Sequence, residues 1–182
     1  MTSPRKLSLA HLPTPIWRHA ALDELVGAEV WVKRDDMTAG AESGNKIRKL
    51  EYLLADALDQ AADVVLTCGA AQSNHARATA LLARQVGLDC WLFLRVKEWS
   101  DERPIGNLLL NRLASAPVHF ITPSQYADRD SLLREVQAGQ ARVGRKAYLI
   151  PEGGSNGLGA LGYVDAMVEV SEQARVGLVP EK

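Results

Sequence analysis

Cysteine is scarce in this chain of 182 residues, Cys68 and Cys90 being the only two. They have no metal-ligand spacing, and two thiols within apolar segments are expected to be buried and reduced rather than bridged. An excess of either charge is also missing. Lys plus Arg total 21 against 22 Asp plus Glu, a net charge of -1, so no basic stripe calls for a nucleic acid or an anionic membrane. Long hydrophobic runs are absent too: Val64-Val65-Leu66-Thr67-Cys68 has the length of a strand, far below the ~18 residues that suggest a membrane span. Met1 to Leu12 carries Arg5, Lys6 and His11 but no apolar h-region and no small-residue cleavage site, which argues against a secretory leader. Internal repeats, low-complexity tracts and an obvious linker are lacking as well. These absences predict a cytoplasmic protein whose partner is a small molecule, with no metal, no nucleic acid and no membrane.

What is present is ordinary globular composition, 47% hydrophobic and 24% charged, and a chain of this length buries roughly 70% of the surface it would expose unfolded. From Val64 onward strand-like runs alternate with amphipathic ones: Val64-Gly69 then Asn74-Val86, Cys90-Val96 then Asn107-Ala114, Val118-Thr122 then Ser131-Val143, Tyr148-Ile150 then Leu158-Ala174. This βαβα rhythm predicts an α/β fold, an open, mostly parallel twisted sheet of four such strands with flanking helices. Upstream, Glu29-Lys33 reads as another strand, and Ile47-Ala61 as a helix with Leu50, Leu53, Leu54, Ala57, Leu58 and Ala61 on one stripe. Trp31, Trp91, Phe93 and Phe120 fall in strand-like runs and are expected in the core. Asp35-Asp36 reads as a solvated turn pairing with Lys33 or Arg34. His19 and His119 have no partner at a recognisable spacing.

Ligands of open parallel sheets bind beyond the carboxyl ends of the strands, and three loops there are rich in glycine and polar residues: 38–45, 68–75 and 151–157. The first leads into Asn45-Lys46-Ile47-Arg48-Lys49, which breaks a local rule. First helical turns favour acids because their unpaired N–H groups carry partial positive charge, yet here three cations stand together. Asn45 suits the N-cap, and the spacing of Lys46 to Leu50, Leu53 and Ala57 turns its amine inward. Burial, the helix terminus and neighbouring cations all favour the neutral amine, the form of a nucleophilic lysine that makes Schiff bases with carbonyls. The competing reading is a lysine whose stem covers apolar surface while its head stays in water.

Trp31-Val32-Lys33-Arg34-Asp35-Asp36, Gly44-Asn45-Lys46-Ile47-Arg48-Lys49-Leu50-Glu51, Gln72-Ser73-Asn74-His75-Ala76-Arg77, Gly106-Asn107-Leu108-Leu109-Leu110 and Ile150-Pro151-Glu152-Gly153-Gly154-Ser155-Asn156 together resemble the signature blocks of the D-cysteine desulfhydrase and 1-aminocyclopropane-1-carboxylate deaminase family. These are fold-type II, pyridoxal 5'-phosphate (PLP)-dependent enzymes related to the tryptophan synthase beta fold, and the resemblance runs from about Pro13 to about Gln173. His75, where the deaminase branch usually has Gln, brings the wording nearer the desulfhydrase branch.

The resemblance implies a lyase in which Lys46 holds PLP covalently and removes the substrate α-proton, Asn74 binds the ring hydroxyl, and Gln72, Ser73, Asn74 and His75 receive an amino-acid carboxylate. Ser73 also stands as an N-cap or proton relay, and His75 as a packed core histidine. The implied reaction is α,β-elimination of D-cysteine to pyruvate, sulfide and ammonia, and the family habit is a homodimer. The resemblance further implies that residues 1–45 begin the larger PLP domain, 46–155 form the smaller α/β domain, and 156–182 return towards the larger one. Relatives continue into a second half that carries the PLP phosphate loop. The site is therefore expected to be half present, the isolated chain to bind PLP weakly, and the tail after Gln173 to leave the family's course. The alternatives are a 1-aminocyclopropane-1-carboxylate deaminase-like enzyme and an inactive truncated fragment of such an enzyme that lacks the phosphate loop. Leu161, Val164, Met167 and Val168 are expected to form an uncovered apolar stripe that favours association. Gly157-Leu158-Gly159-Ala160-Leu161-Gly162 also satisfies G-x-G-x-x-G, but without a second strand ending in an acid ~20 residues later it reads as close helix packing rather than a nucleotide site.

Overall fold

The computed structural model describes residues 4–98 and 104–177. Its centre is a four-stranded parallel sheet of β3 (Val64–Ala70), β4 (Asp89–Arg95), β5 (Val118–Ile121) and β6 (Ala147–Leu149), in the order β5-β4-β3-β6. The open parallel sheet expected from the alternating pattern is therefore what forms. Side chains alternate across β3: Val64, Leu66 and Cys68 join Leu133, Phe93 and Ile121 on one face, while Val65 joins the helices on the other, as a period of two requires. Both cysteines are buried and free.

Helix α2 (Lys46–Asp59) covers one face, packing Ile47, Leu50, Leu53, Leu54 and Ala57, all fully buried, against α3 (Asn74–Gln85) and the strands. It ends two residues short of Ala61, which adopts a left-handed φ of 51° beyond the last turn. The opposite face is covered by α6 (Arg129–Arg142), preceded by a short helix α5 (Pro123–Ala127) that a Thr122/Gln125 capping box starts. Helix α4 (Gly106–Leu113) flanks α3.

Before Lys46 the chain makes a separate antiparallel pair, β1 (Ile16–Arg18) with β2 (Trp31–Lys33), joined through α1 (Ala20–Val26), which ends in the left-handed Gly27. β1 and α1 leave no periodic signal because they span only three and seven residues. Trp31 sits on this small ribbon at 36% exposure, so the expectation of a core position fails: a two-stranded sheet covers only one side of its residues. Phe93 is in the core as expected, with the imidazole of His119 stacked on it.

Helix α7 (Gly157–Arg175) packs against α2. A Cβ on Gly162 would overlap the Arg48 carbonyl and meet Lys49 N at 2.9 Å, and one on Gly159 would overlap the Gly154 carbonyl. Of the three glycines of the G-x-G-x-x-G string, Gly162 thus serves the close approach of α7 to α2, as expected, while Gly159 makes room for the loop that enters α7. On the far side of α7, Val164, Met167 and Val168 are exposed and Leu161 is half-buried. No helix among the described residues is long and apolar enough to cross a membrane.

Candidate active site

The strand order reverses at β3, whose neighbours are β4 on one side and β6 on the other. Loops leaving β3 and β6 therefore diverge and open a crevice beyond the carboxyl ends of the strands. One wall is Ala71 to Asn74, entering α3, and the other is Pro151 to Asn156, entering α7. Lys46, the first residue of α2, brings its Nζ to the second of these walls.

The second wall is shaped by two consecutive left-handed glycines, Gly153 (φ 68°) and Gly154 (φ 61°). A side chain at Gly154 would press on Leu53, while one at Gly153 would stand 3.7 Å from Lys46 Nζ. The bare backbone at Gly153 thus leaves space over the amine. Lys46 is half-buried, and its Nζ makes no hydrogen bond or ion pair with any other described residue. Burial, followed by the nearby charge of Lys49, holds its pKa below the usual lysine value. Lys49 itself turns to Ser155 Oγ at 3.1 Å. Asn45 occupies the N-cap position but with helical φ and ψ, and its side chain caps nothing, contrary to expectation. Its carbonyl instead accepts from the Tyr163 hydroxyl at 3.3 Å.

On the first wall Ser73 is the N-cap of α3: its hydroxyl accepts from Ala76 N at 3.2 Å and its own N–H closes the turn onto the Ala70 carbonyl. That leaves Ser73 with its hydroxyl proton to donate and with no backbone donor to spare. Gly69 is required beneath it, since a Cβ there would lie 2.7 Å from Ser73 Oγ. Asn74 and His75 stand in the first helical turn, where N–H groups lack intrahelical acceptors.

Asn107 organises this wall, and sequence reasoning named it only within a resembling block, never as a site residue. Its Nδ2 donates to the Gln72 carbonyl at 2.8 Å and to Asn74 Oδ1 at 2.9 Å. A carbonyl can only accept, so the Asn107 amide is fixed in orientation; Asn74 must present its oxygen to Asn107 and turn its own NH2 outward. The Gln72 side chain is held by the neighbouring loop. Its Oε1 accepts from Asn107 N at 2.8 Å and its Nε2 donates to the Ile105 carbonyl at 3.2 Å, which commits the amide to the turn before α4. His75 lies beneath the wall with 3% exposure.

Arg48, the second cation of the first turn, is not at the site at all. It is 1% exposed and holds Asp35 by two bonds at 2.9 and 2.8 Å, Glu169 at 2.9 Å and Thr14 Oγ1 at 3.1 Å. Lys33 adds an ion pair to Glu169. Asp35 is thus a half-buried anchor held by the buried Arg48, not a solvated turn residue, whereas Asp36 does pair with Arg34 as expected. Burial opposes the charges here, but hydrogen bonds from Arg48, Lys33 and Thr14 N outweigh it and bring the Glu169 carboxyl down to about 2.

A family model described as "Pyridoxal-phosphate dependent enzyme" matches residues 7–180. The chain belongs to this family. The match continues past Gln173, so the expected departure of the tail is not seen in the sequence comparison; Leu178 to Lys182 lie outside the described residues. A relative from Arabidopsis thaliana named "Bifunctional D-cysteine desulfhydrase/1-aminocyclopropane-1-carboxylate deaminase, mitochondrial" is 47% identical over 171 residues, 91% of this chain and 43% of that one. A "D-cysteine desulfhydrase" of Serratia proteamaculans is 40% identical, over 93% of this chain and 52% of its own. A crystal structure of an "ACC deaminase homologue" superposes with a TM-score of 0.85 at 41% identity, covering 93% and 51%. The chain therefore spans about half the length of the relatives it matches. A threonine deaminase structure, TM-score 0.66 at 24% identity, shares the fold, which is that of the fold-type II PLP enzymes.

Proposed function

We propose that the chain carries the lysine-bearing part of a PLP-dependent lyase that acts on a small amino acid, D-cysteine first, and yields pyruvate, sulfide and ammonia. One observation carries this reading: the half-buried Lys46 amine has no partner among the described residues, has a lowered pKa, and faces a wall kept bare by Gly153. Those features fit an aldehyde group. Lys46 Nζ would hold the cofactor covalently, and the outward NH2 of Asn74 would bind its ring oxygen. Bound there, PLP supplies an electron sink for charge at the substrate's α-carbon. As a neutral amine, Lys46 Nζ would take the α-proton. The substrate carboxylate is received by the free N–H groups of Asn74 and His75 and by the Ser73 hydroxyl, at a helix N-terminus that favours an anion.

The test is borohydride reduction of the PLP-treated protein followed by peptide mapping, with the pyridoxyl label expected on Lys46. A label on Lys33 or Lys49 with Lys46 unmodified would overturn the assignment. A second substrate, 1-aminocyclopropane-1-carboxylate, is favoured by the double name of the plant relative. Sulfide release from D-cysteine and ammonia release from the cyclopropane compound separate the two.

We further propose a cytoplasmic location, the division at 1–45, 46–155 and 156–182, and a homo-oligomer supported by the exposed Val164, Met167 and Val168. Fractionation of the source cells tests the first. Limited proteolysis that spares residues 45 and 156 would sink the division, and sedimentation as a monomer across micromolar concentrations would remove the oligomer.

A further inference from the structure

The side chain of His75 is held from one end only. Its Nε2 lies 2.9 Å from Thr67 Oγ1, and Thr67 Oγ1 lies 2.8 Å from the Ile150 carbonyl. Thr67 and Ile150 are fully buried and His75 nearly so. A hydroxyl has one proton, and a carbonyl accepts but never donates. Thr67 therefore gives its proton to Ile150 and accepts from His75, so the ring carries its proton on Nε2. Nδ1 is then a bare lone pair, and it has no partner among the described residues. Burial first, and then the charges of Lys46 and Lys49, lower the pKa of the ring to about 3.

The three groups belong to different parts of the crevice. His75 is in the first turn of α3 behind the first wall, Thr67 is on β3 where the sheet reverses, and Ile150 is the last residue before the Pro151–Asn156 wall. Ile150 is also held through its own N–H to the Leu66 carbonyl at 2.9 Å. We propose that His75 is a positioning residue and not an acid–base group: as a neutral Nε2–H ring it ties, through Thr67, the helix wall to the glycine wall and so sets the space around the Lys46 amine. Replacing the Thr67 hydroxyl leaves two buried polar groups, the Ile150 carbonyl and the His75 Nε2–H, unpaired at once, and the walls are expected to separate and admit water in response.

The importance of this device rests on the reading of Lys46 as the cofactor lysine, but its test needs no cofactor. The full chain is labelled with 15N to read the ring nitrogens of His75, and its lysines are reductively 13C-methylated to follow the titration of Lys46. The expected ring pattern is neutral and Nε2-protonated, constant across about pH 5 to 8, the range in which an ordinary histidine titrates. Thr67→Val should raise the Lys46 pKa by about 1, tenfold in its protonation equilibrium, while Thr67→Ser, which keeps the hydroxyl, leaves it in place. A ring protonated on Nδ1, or one that titrates in that range, overturns the proposal. So does a Thr67→Val protein with native circular dichroism and an unmoved Lys46. Should Thr67→Val not fold, His75→Gln decides: its amide can still donate to Thr67, so an unchanged Lys46 pKa supports the proposal and a raised one overturns it. Failure of borohydride labelling at Lys46 would leave all of these readings intact, so the two ideas fail separately.

Discussion

The interior of the four-stranded sheet and the joint around Arg48 are both buried, yet they are built on opposite terms. In the sheet, Val65, Leu92 and Leu94 meet Leu50, Leu53 and Ala76 through apolar contact alone. At the joint, Arg48 and Lys33 face Asp35 and Glu169, with Thr14, Gln173 and Tyr163 filling the remaining bonds. Apolar contact is non-directional and tolerates small shifts. A buried charge tolerates none, because each ion has been taken from water and is compensated only at hydrogen-bonding distance. The joint thus fixes where α7 and the N-terminal segment stand relative to the first turn of α2, two residues from Lys46. The core beneath it supplies the driving force.

Breaking each region should show the difference. Arg48→Met leaves the Asp35 and Glu169 carboxylates without their main partner, and should cost about 3 to 5 kcal/mol of unfolding free energy. Leu92→Ala, a cavity in the fully buried sheet, should cost about 2 to 5 kcal/mol. Urea denaturation measures both. The sharper contrast is in Lys46: Arg48→Met should alter its titration while Leu92→Ala leaves it alone. Equal effects on Lys46 would abolish the distinction between the two regions.

Acid should separate the two regions next. Glu169 sits at about 2 in the folded protein against an ordinary 4.5, a depressed carboxyl, so its contribution is complete above about 4.5 and disappears as pH falls through about 2. The expected result is a loss of stability across that window in the wild type that Glu169→Gln flattens and Leu92→Ala does not. An unchanged acid slope in Glu169→Gln would show that other carboxylates dominate.

The smallest effect is expected at Asp36, adjacent in sequence to Asp35. Asp35→Asn removes an anchor of the buried Arg48, whereas the exposed Asp36 holds Arg34 near the surface, where an ion pair contributes little. Asp36→Asn should leave the melting temperature unchanged within error and Asp35→Asn should lower it clearly. Comparable shifts would mean that burial does not separate the two acids.

The alternation of strands and helices from Val64, the inward stripe of α2 and the unusual Lys46 were all legible in the sequence. Each depends on residues within a turn or two of one another, and the period of the apolar pattern reports directly which side is buried. The signature blocks also brought the 72–77 and 150–156 segments to notice. They did not reveal that Gln72 is spent on the turn at Ile105 and Asn107, or that Asn107 orients Asn74.

The rest was decided by tertiary structure. Nothing near Asp35 distinguishes it from Asp36; what does is Arg48, 13 residues on, and the Glu169 that Arg48 also holds, 121 residues beyond it. The tautomer of His75 likewise follows from a carbonyl at Ile150 that Thr67 reaches across 83 residues of chain. Apolar burial is summed over area and leaves a periodic trace in the local sequence. A buried polar group is settled by the one partner that meets it at about 3 Å, and the fold chooses that partner from anywhere in the chain.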